Sequence, residues 1–178
     1  MRSVAGISHA LACRYVGVHV GTIPDDDNAP AWNTLLTRTR IVADELAGCG
    51  LTLLLETGRE PVNVLLRFMD AVARENVGIS FDPGNLIVYG VDDPVRAVSA
   101  LRGRVSLVHL KDALRSAATG VAYGQRAELG MGDVQIPRVL SKLRATGYTG
   151  PILVEVSGDA GDLSQPIATV EFLRSMLK

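Results

Sequence analysis

Short apolar runs alternate with segments of helical periodicity along the whole chain. YVGVHVG (Tyr15–Gly21), LTLLLE (Leu51–Glu56), VGISFD (Val77–Asp82), VSLVHL (Val105–Leu110) and PILVEV (Pro151–Val156) read as five strands, nearly continuous in apolar residues as strands covered on both faces are. Between the first two, Trp32–Ala47 places Leu35, Leu36, Thr39, Val42, Ala43 and Leu46 on one face of an amphipathic helix, which Gly48 and Gly50 stop. Further helices are predicted from Pro61 to near Asn76, from about Pro94 to Leu101, from about Ile136 to Thr146 and from about Gln165 to Leu177, and residues 1–13 read as the tail of another. PGN after Asp82 reads as a loop, and so does the Gly-rich excursion from Ala113 to Gly132. TIPDDDNAPAW is loop chemistry too, with Asp25, Asp26 and Asp27 lacking calcium-loop spacing and forming a solvated turn. Strand then helix, five times over, predicts an α/β protein with a parallel sheet under helices, organised as one domain over residues 1–178.

Composition narrows the partners. At 178 residues and 47% hydrophobic content the chain can fill a core. Eighteen Lys and Arg against nineteen Asp and Glu leave a formal charge of -1, with no basic block or stripe to neutralise a phosphate backbone, so nucleic acid is not an expected partner. No run approaches the roughly 20 apolar residues of a membrane helix, so no membrane partner is expected either. Cys13 and Cys49 lack metal spacing and the N-terminus lacks a secretory pattern, so a cytoplasmic protein with reduced thiols is expected. His9 belongs on a helix surface.

What changes the picture is how the strands end. Glu56, Asp82, His109 and Glu155 each close or nearly close an apolar run, and in parallel α/β folds reactive groups gather at the carboxyl ends of strands. Strand parity puts Leu54 with Glu56, Ser80 with Asp82, Leu107 with His109 and Lys111, and Leu153 with Glu155 on one face, so the four side chains converge if the sheet curves. Three carboxylates and an imidazole suit one divalent ion such as Mn²⁺, Mg²⁺, Co²⁺ or Zn²⁺. In the first strand Val16, Val18 and Val20 share the face toward the helices. His19 points the other way near the strand end, where it is a candidate substrate contact.

These residues resemble a known family. LLLETG, FDPGNLIVYG, VHLKD, LGMGDVQIPRVL and GYTGPILVEV are similar to the C-terminal five-eighths of the xylose isomerase-like (β/α)₈ barrels, which include sugar isomerases, ketose 3-epimerases and inosose-metabolising enzymes. The resemblance implies a partial TIM barrel of about five βα units with the first three missing. It implies that Glu56, Asp82, His109 and Glu155 bind one divalent cation, and that Glu56 and Glu155 are also the acid and base on opposite faces of a small sugar, keto-sugar or polyol. The physical logic is that a proton α to a carbonyl is too weakly acidic for an unaided carboxylate, so a Lewis acid must stabilise the enediolate while two carboxylates move the proton.

Departures qualify the match. Asn85 stands where many relatives carry a histidine three residues after the aspartate; it can hydrogen-bond a substrate hydroxyl but cannot titrate near neutrality. Arg115, six residues past His109, matches an arginine for substrate oxygens, and Lys111 is a further candidate contact, whereas Asp112 fits a loop cap. A closed barrel takes eight strands and about 250 residues. Five strands leave two parallel edges exposed, which predicts a homo-oligomer that covers them. The expected activity is a metal-dependent sugar isomerase or epimerase. The alternatives are a lyase or dehydratase of a keto-inositol or 3-keto-sugar, and a non-catalytic metal-binding remnant.

Overall fold

The computed structural model describes residues 2–118, 122–155 and 164–176. Among these, the elements run α1 (Arg2–Ala10), β1 (Tyr15–Val18), α2 (Pro30–Ala47), β2 (Thr52–Glu56), α3 (Val62–Val72), β3 (Val77–Phe81), α4 (Pro83–Tyr89), α5 (Pro94–Ala100), β4 (Val105–Leu110), β5 (Asp112–Leu114), β6 (Gln125–Ala127), α6 (Ile136–Ala145), β7 (Ile152–Val154) and α7 (Ser164–Met176). The five strands β1, β2, β3, β4 and β7 lie in that order, every pair parallel, and form half of a barrel. The foreseen strand end at Val156 and helix end at Leu177 lie outside the described residues.

The apolar alternation explains how the layers pack. Leu53, Leu55, Ile79, Phe81, Val108 and Leu110 are all 0–1% exposed and belong to the cluster built with the helices. From α2, Trp32, Thr39, Ala43 and Leu46 are buried, spaced as one helical face requires. Trp32 meets Phe68 of α3 edge-on, ring centroids 5.2 Å apart. On the opposite sheet face Leu54 is buried, yet Leu153 is 52% exposed, because the half-barrel leaves the inner side of β7 open. Val16, Val18 and Val20 pack against the core as parity requires.

Three expectations are corrected in detail. PGN is not a loop but the first turn of α4: Asp82 caps the helix by accepting from Asn85 N, and Pro83 takes the first helical position, where its missing N–H costs nothing. α3 ends at Val72 rather than near Asn76, because Ala73 turns into the left-handed region at φ 52°. Asn76 then donates its side-chain amide to the carbonyls of Ala43 and Leu51 and joins α2 to the start of β2. The excursion after β4 is partly ordered as an antiparallel pair, β5 with β6, in the register Ala113 to Arg126.

At the N-terminal end of the sheet, the Tyr148 hydroxyl donates to Pro151 O at 2.6 Å, just before β7. Burial pushes this phenol up to about 12, even though a hydrogen bond from the Val108 backbone pulls the other way. The folded state holds the proton longer than the unfolded chain, so the stabilisation is complete below the ordinary value of 10.0 and is lost as pH rises through about 12. Its ionisation should appear as a late step, near pH 12, in a phenolate-absorbance titration. Tyr148→Phe should remove that late step and cost about 1 kcal/mol in denaturant unfolding.

Candidate metal and acid–base site

Strands β2, β3, β4 and β7 bring ionisable side chains to the C-terminal rim of the half-barrel. Glu56 ends β2, Asp82 follows β3, His109 lies on β4 with Lys111 just beyond it, and Glu155 follows β7. The donor atoms of Glu56, Asp82 and His109 all lie within 4.8 Å of one another. Glu155 stands outside that trio, with its Oε2 3.5 Å from His109 Nε2 and 3.5 Å from Lys111 Nζ. A cavity of about 500 Å³ opens over them, walled also by His19, Asn85, Tyr89 and Arg126.

Asp82 is the most enclosed of these groups. Its backbone N–H donates to Thr57 Oγ1 at 2.8 Å, and that hydroxyl donates back to Asp82 O at 2.9 Å, a reciprocal tie between the ends of β2 and β3. The carboxylate has no exposed surface. Oδ1 accepts from Asn85 N, whereas Oδ2, without a hydrogen-bond donor of its own among the described residues, faces the Lys111 ammonium at 2.8 Å. Burial pushes the Asp82 carboxyl above its ordinary range, and the charge of Lys111 partly offsets this. Lys111 reaches that depth because Gly84 lies beneath it; a Cβ there would come within 2.7 Å of Lys111 Cγ and 2.9 Å of its carbonyl.

Glu56 Oε1 is a shared acceptor. Asn85 Nδ2 donates to it at 3.2 Å and to Thr57 O at 3.0 Å, while His19 Nε2 lies 3.4 Å and His109 Nδ1 3.5 Å away. Burial raises the Glu56 carboxyl, but hydrogen bonding to His109 and the nearby charges outweigh it and hold the group below its ordinary value. The same bond to Glu56 raises His109 against the effect of its own burial. Oxygen and imidazole donors this close, one of them a buried carboxylate oxygen short of a hydrogen bond, fit a single hard or borderline divalent cation.

The sequence-predicted substrate contacts are dispersed unevenly. Asn85, Lys111 and His19 line the cavity, and Asn85 spends its amide hydrogens on Glu56 and Thr57. Arg115 does not reach it. That residue is exposed, and it lines a neighbouring hollow with Ile87, Tyr89 and Ser116. The arginine that does reach the cavity is Arg126 of β6, which contacts Glu155. No local pattern marks Arg126, because its position depends on Asp112. That carboxylate is 1% exposed and accepts from the backbone N–H groups of Ala113, Gly130, Gly132 and Val134 at 2.9–3.2 Å, which fixes the return from β6 to α6.

Comparison with known proteins follows the same lines. The sequence model of a family described as xylose isomerase-like TIM barrel matches residues 1–176. The crystal structure of a xylose isomerase domain protein from Planctomyces limnophilus superposes with a TM-score of 0.90 at 31% identity, over 97% of this chain and 61% of that one. A probable 3-DHS dehydratase from Bacillus anthracis involved in petrobactin synthesis gives 0.77 at 18% identity, over 97% and 68%. A xylose isomerase-like TIM barrel protein from Mycobacterium smegmatis, solved in complex with magnesium, gives 0.74 at 21% identity, over 98% and 64%. Sugar 3-epimerases share the fold as well. At identities this low the last three comparisons bear on fold alone. The chain thus spans about three-fifths of the Planctomyces limnophilus protein. Comparison with curated proteins gives no match. Among the described residues no helix is long and apolar enough to cross a membrane.

Two measurements follow from these contacts. Lys111→Met strands the Asp82 carboxylate in a buried site and should cost about 3–5 kcal/mol in urea unfolding, with part of the loss recovered in Lys111→Met/Asp82→Asn. In metal-free protein, the raised His109 gives stability that is full below 6.5 and is lost as pH rises through its higher folded value. Unfolding midpoints should therefore fall across that interval in the parent chain and fall less in His109→Asn.

Proposed function

Because the chain belongs to the xylose isomerase-like TIM-barrel family, we propose that it carries the reactive half of a divalent-metal-dependent sugar isomerase or epimerase. The supporting observation is the meeting of Glu56, Asp82 and His109 at the strand mouths, with Glu155 on the far side of the imidazole. Glu56, Asp82 and His109 would hold the ion, with Glu155 completing the set. Once bound, the ion supplies Lewis-acid polarisation of the substrate's carbonyl and hydroxyl oxygens.

The chain's own residues do the proton work. Glu56 is kept ionised by its neighbours, so it is ready to take the proton α to the carbonyl. Asn85 orients it by donating to Oε1 and does not titrate. Glu155, held at Oε2 between His109 and Lys111, would start the cycle protonated and deliver its own proton to the opposite face or to the adjacent carbon. Glu56 is left with the proton it took until exchange with solvent resets the pair. Lys111 partly offsets the burial that works against a charged Asp82, and His19 borders the entry to Glu56. The substrate class is a small sugar, keto-sugar or polyol handled in the cytoplasm. A second copy of the chain would cover the open edges of β1 and β7.

Incubation with ketohexoses or an inosose and Mn²⁺ in D₂O should exchange the α-proton, followed by NMR. Accumulation of a dehydrated product would assign the lyase reaction instead, and tight Mn²⁺ binding with no exchange on any substrate would mark a non-catalytic metal-binding chain. Glu56→Gln/Glu155→Gln should abolish Mn²⁺ affinity in calorimetry; binding equal to the parent's would refute the ligand set.

A further inference from the structure

Thr57 directly follows Glu56, is 1% exposed, and spends each of its polar groups on the segment from Ser80 to Asn85. Its N–H donates to Ser80 O at 3.1 Å and carries the β2–β3 ladder one step past Glu56. Its hydroxyl donates to Asp82 O and accepts from Asp82 N. Its carbonyl accepts from Asn85 Nδ2, the same amide that donates to Glu56 Oε1.

These bonds join two carboxylates of the site through the main chain. The Asp82 side chain inherits the position of the Asp82 backbone, and the Glu56 side chain inherits that of the residue beside Thr57. One threonine therefore fixes each against the other, and branching at its Cβ restricts χ1 and holds the hydroxyl in place. Serine keeps both hydroxyl bonds with a freer rotor, whereas valine keeps the shape and leaves a buried N–H and C=O without partners. Outer partners of metal ligands govern affinity by about 10–100-fold. Mg²⁺ demands a near-ideal octahedron and suffers from any drift between its ligands; Ca²⁺ accepts irregular oxygen cages and suffers less.

We propose that Thr57 is a positioning residue for the metal site: it sets the separation of Glu56 and Asp82 and thereby how the site ranks divalent ions by size. This rests on the reading of Glu56, Asp82 and His109 as ligands, and not on which reaction the chain performs. The competing role is a fold staple alone, which predicts lost stability with the ratio of Mg²⁺ to Ca²⁺ affinity unchanged.

Calorimetric titration of Mn²⁺, Mg²⁺ and Ca²⁺ into the chelator-treated chain decides between the two. Thr57→Val should weaken Mn²⁺ and Mg²⁺ by about tenfold or more. Its Ca²⁺ affinity should fall by about threefold or less, so that the ratio of Mg²⁺ to Ca²⁺ affinity drops. Thr57→Ser should hold all three ions within about threefold of the parent, because both hydroxyl bonds are kept. Val139→Ala controls for stability, since it opens a cavity in the helix layer at a residue of α6 with no exposed surface. Its urea midpoint should fall while its ion affinities stay within about twofold of the parent. If circular dichroism finds Thr57→Val unfolded, Thr57→Cys, with a weak donor and weak acceptor in place of the hydroxyl, carries the same comparison. Parent-like Mn²⁺ affinity in the Thr57 variant, an equal loss for Mg²⁺ and Ca²⁺, or a comparable loss in Val139→Ala overturns the proposal. A parent that binds none of the three ions refutes the ligand set and this proposal with it. The expected ion pattern without α-proton exchange defeats only the isomerase reading; exchange with an unaltered ion pattern in Thr57→Val defeats only this one.

Discussion

A carboxylate with no exposed surface has to be met by positive charge or give up its own, and Asp82 makes that demand at the point where sheet, helix and site join. Its backbone is tied to Thr57, its Oδ1 starts α4, and its Oδ2 needs a cation. Lys111 answers in the metal-free chain, at 2.8 Å. The closeness of Gly84 to Lys111, the α4 cap and the reach of Asn85 back to Glu56 all follow from meeting that need in one small volume. A divalent ion at the same oxygen would compete with Lys111, which couples metal binding to the position of that side chain.

Most of the sheet was legible because burial on both faces leaves a plain signature. Runs such as LTLLLE admit one reading in a chain that alternates with amphipathic segments, and the polar residue closing each run marks the end where parallel folds keep their chemistry. Pro83, Gly84 and Asn85 were read as loop although an aspartate followed by proline is also a helix start; Gly84 and Asn85 pulled the reading the wrong way. The glycine that suggested a turn is there for close approach to Lys111.

The cavity's arginine was not legible, for a different physical reason. The family resemblance singled out Arg115, but β5 ends at Leu114 and Arg115 lines a neighbouring hollow instead. Which later residue returns is set by a ladder of three residue pairs and by a carboxylate 18 to 22 positions upstream of the amides it binds. Periodicity carries no record of such contacts. The open side of β7, seen in Leu153, was foreseen only as a count of strands.

Asp112 has an evolutionary corollary. By gripping Ala113 at one end and Gly130, Gly132 and Val134 at the other, it closes the excursion at its base and separates the stem from whatever is strung between. Lengthening a loop whose ends are already pinned adds little entropic cost, about 0.6 kcal/mol for each doubling. The stretch beyond the β5–β6 ladder can thus lengthen while the strand-end carboxylates stay in place, and descendants of this scaffold could reshape the cavity wall by exchanging that one segment.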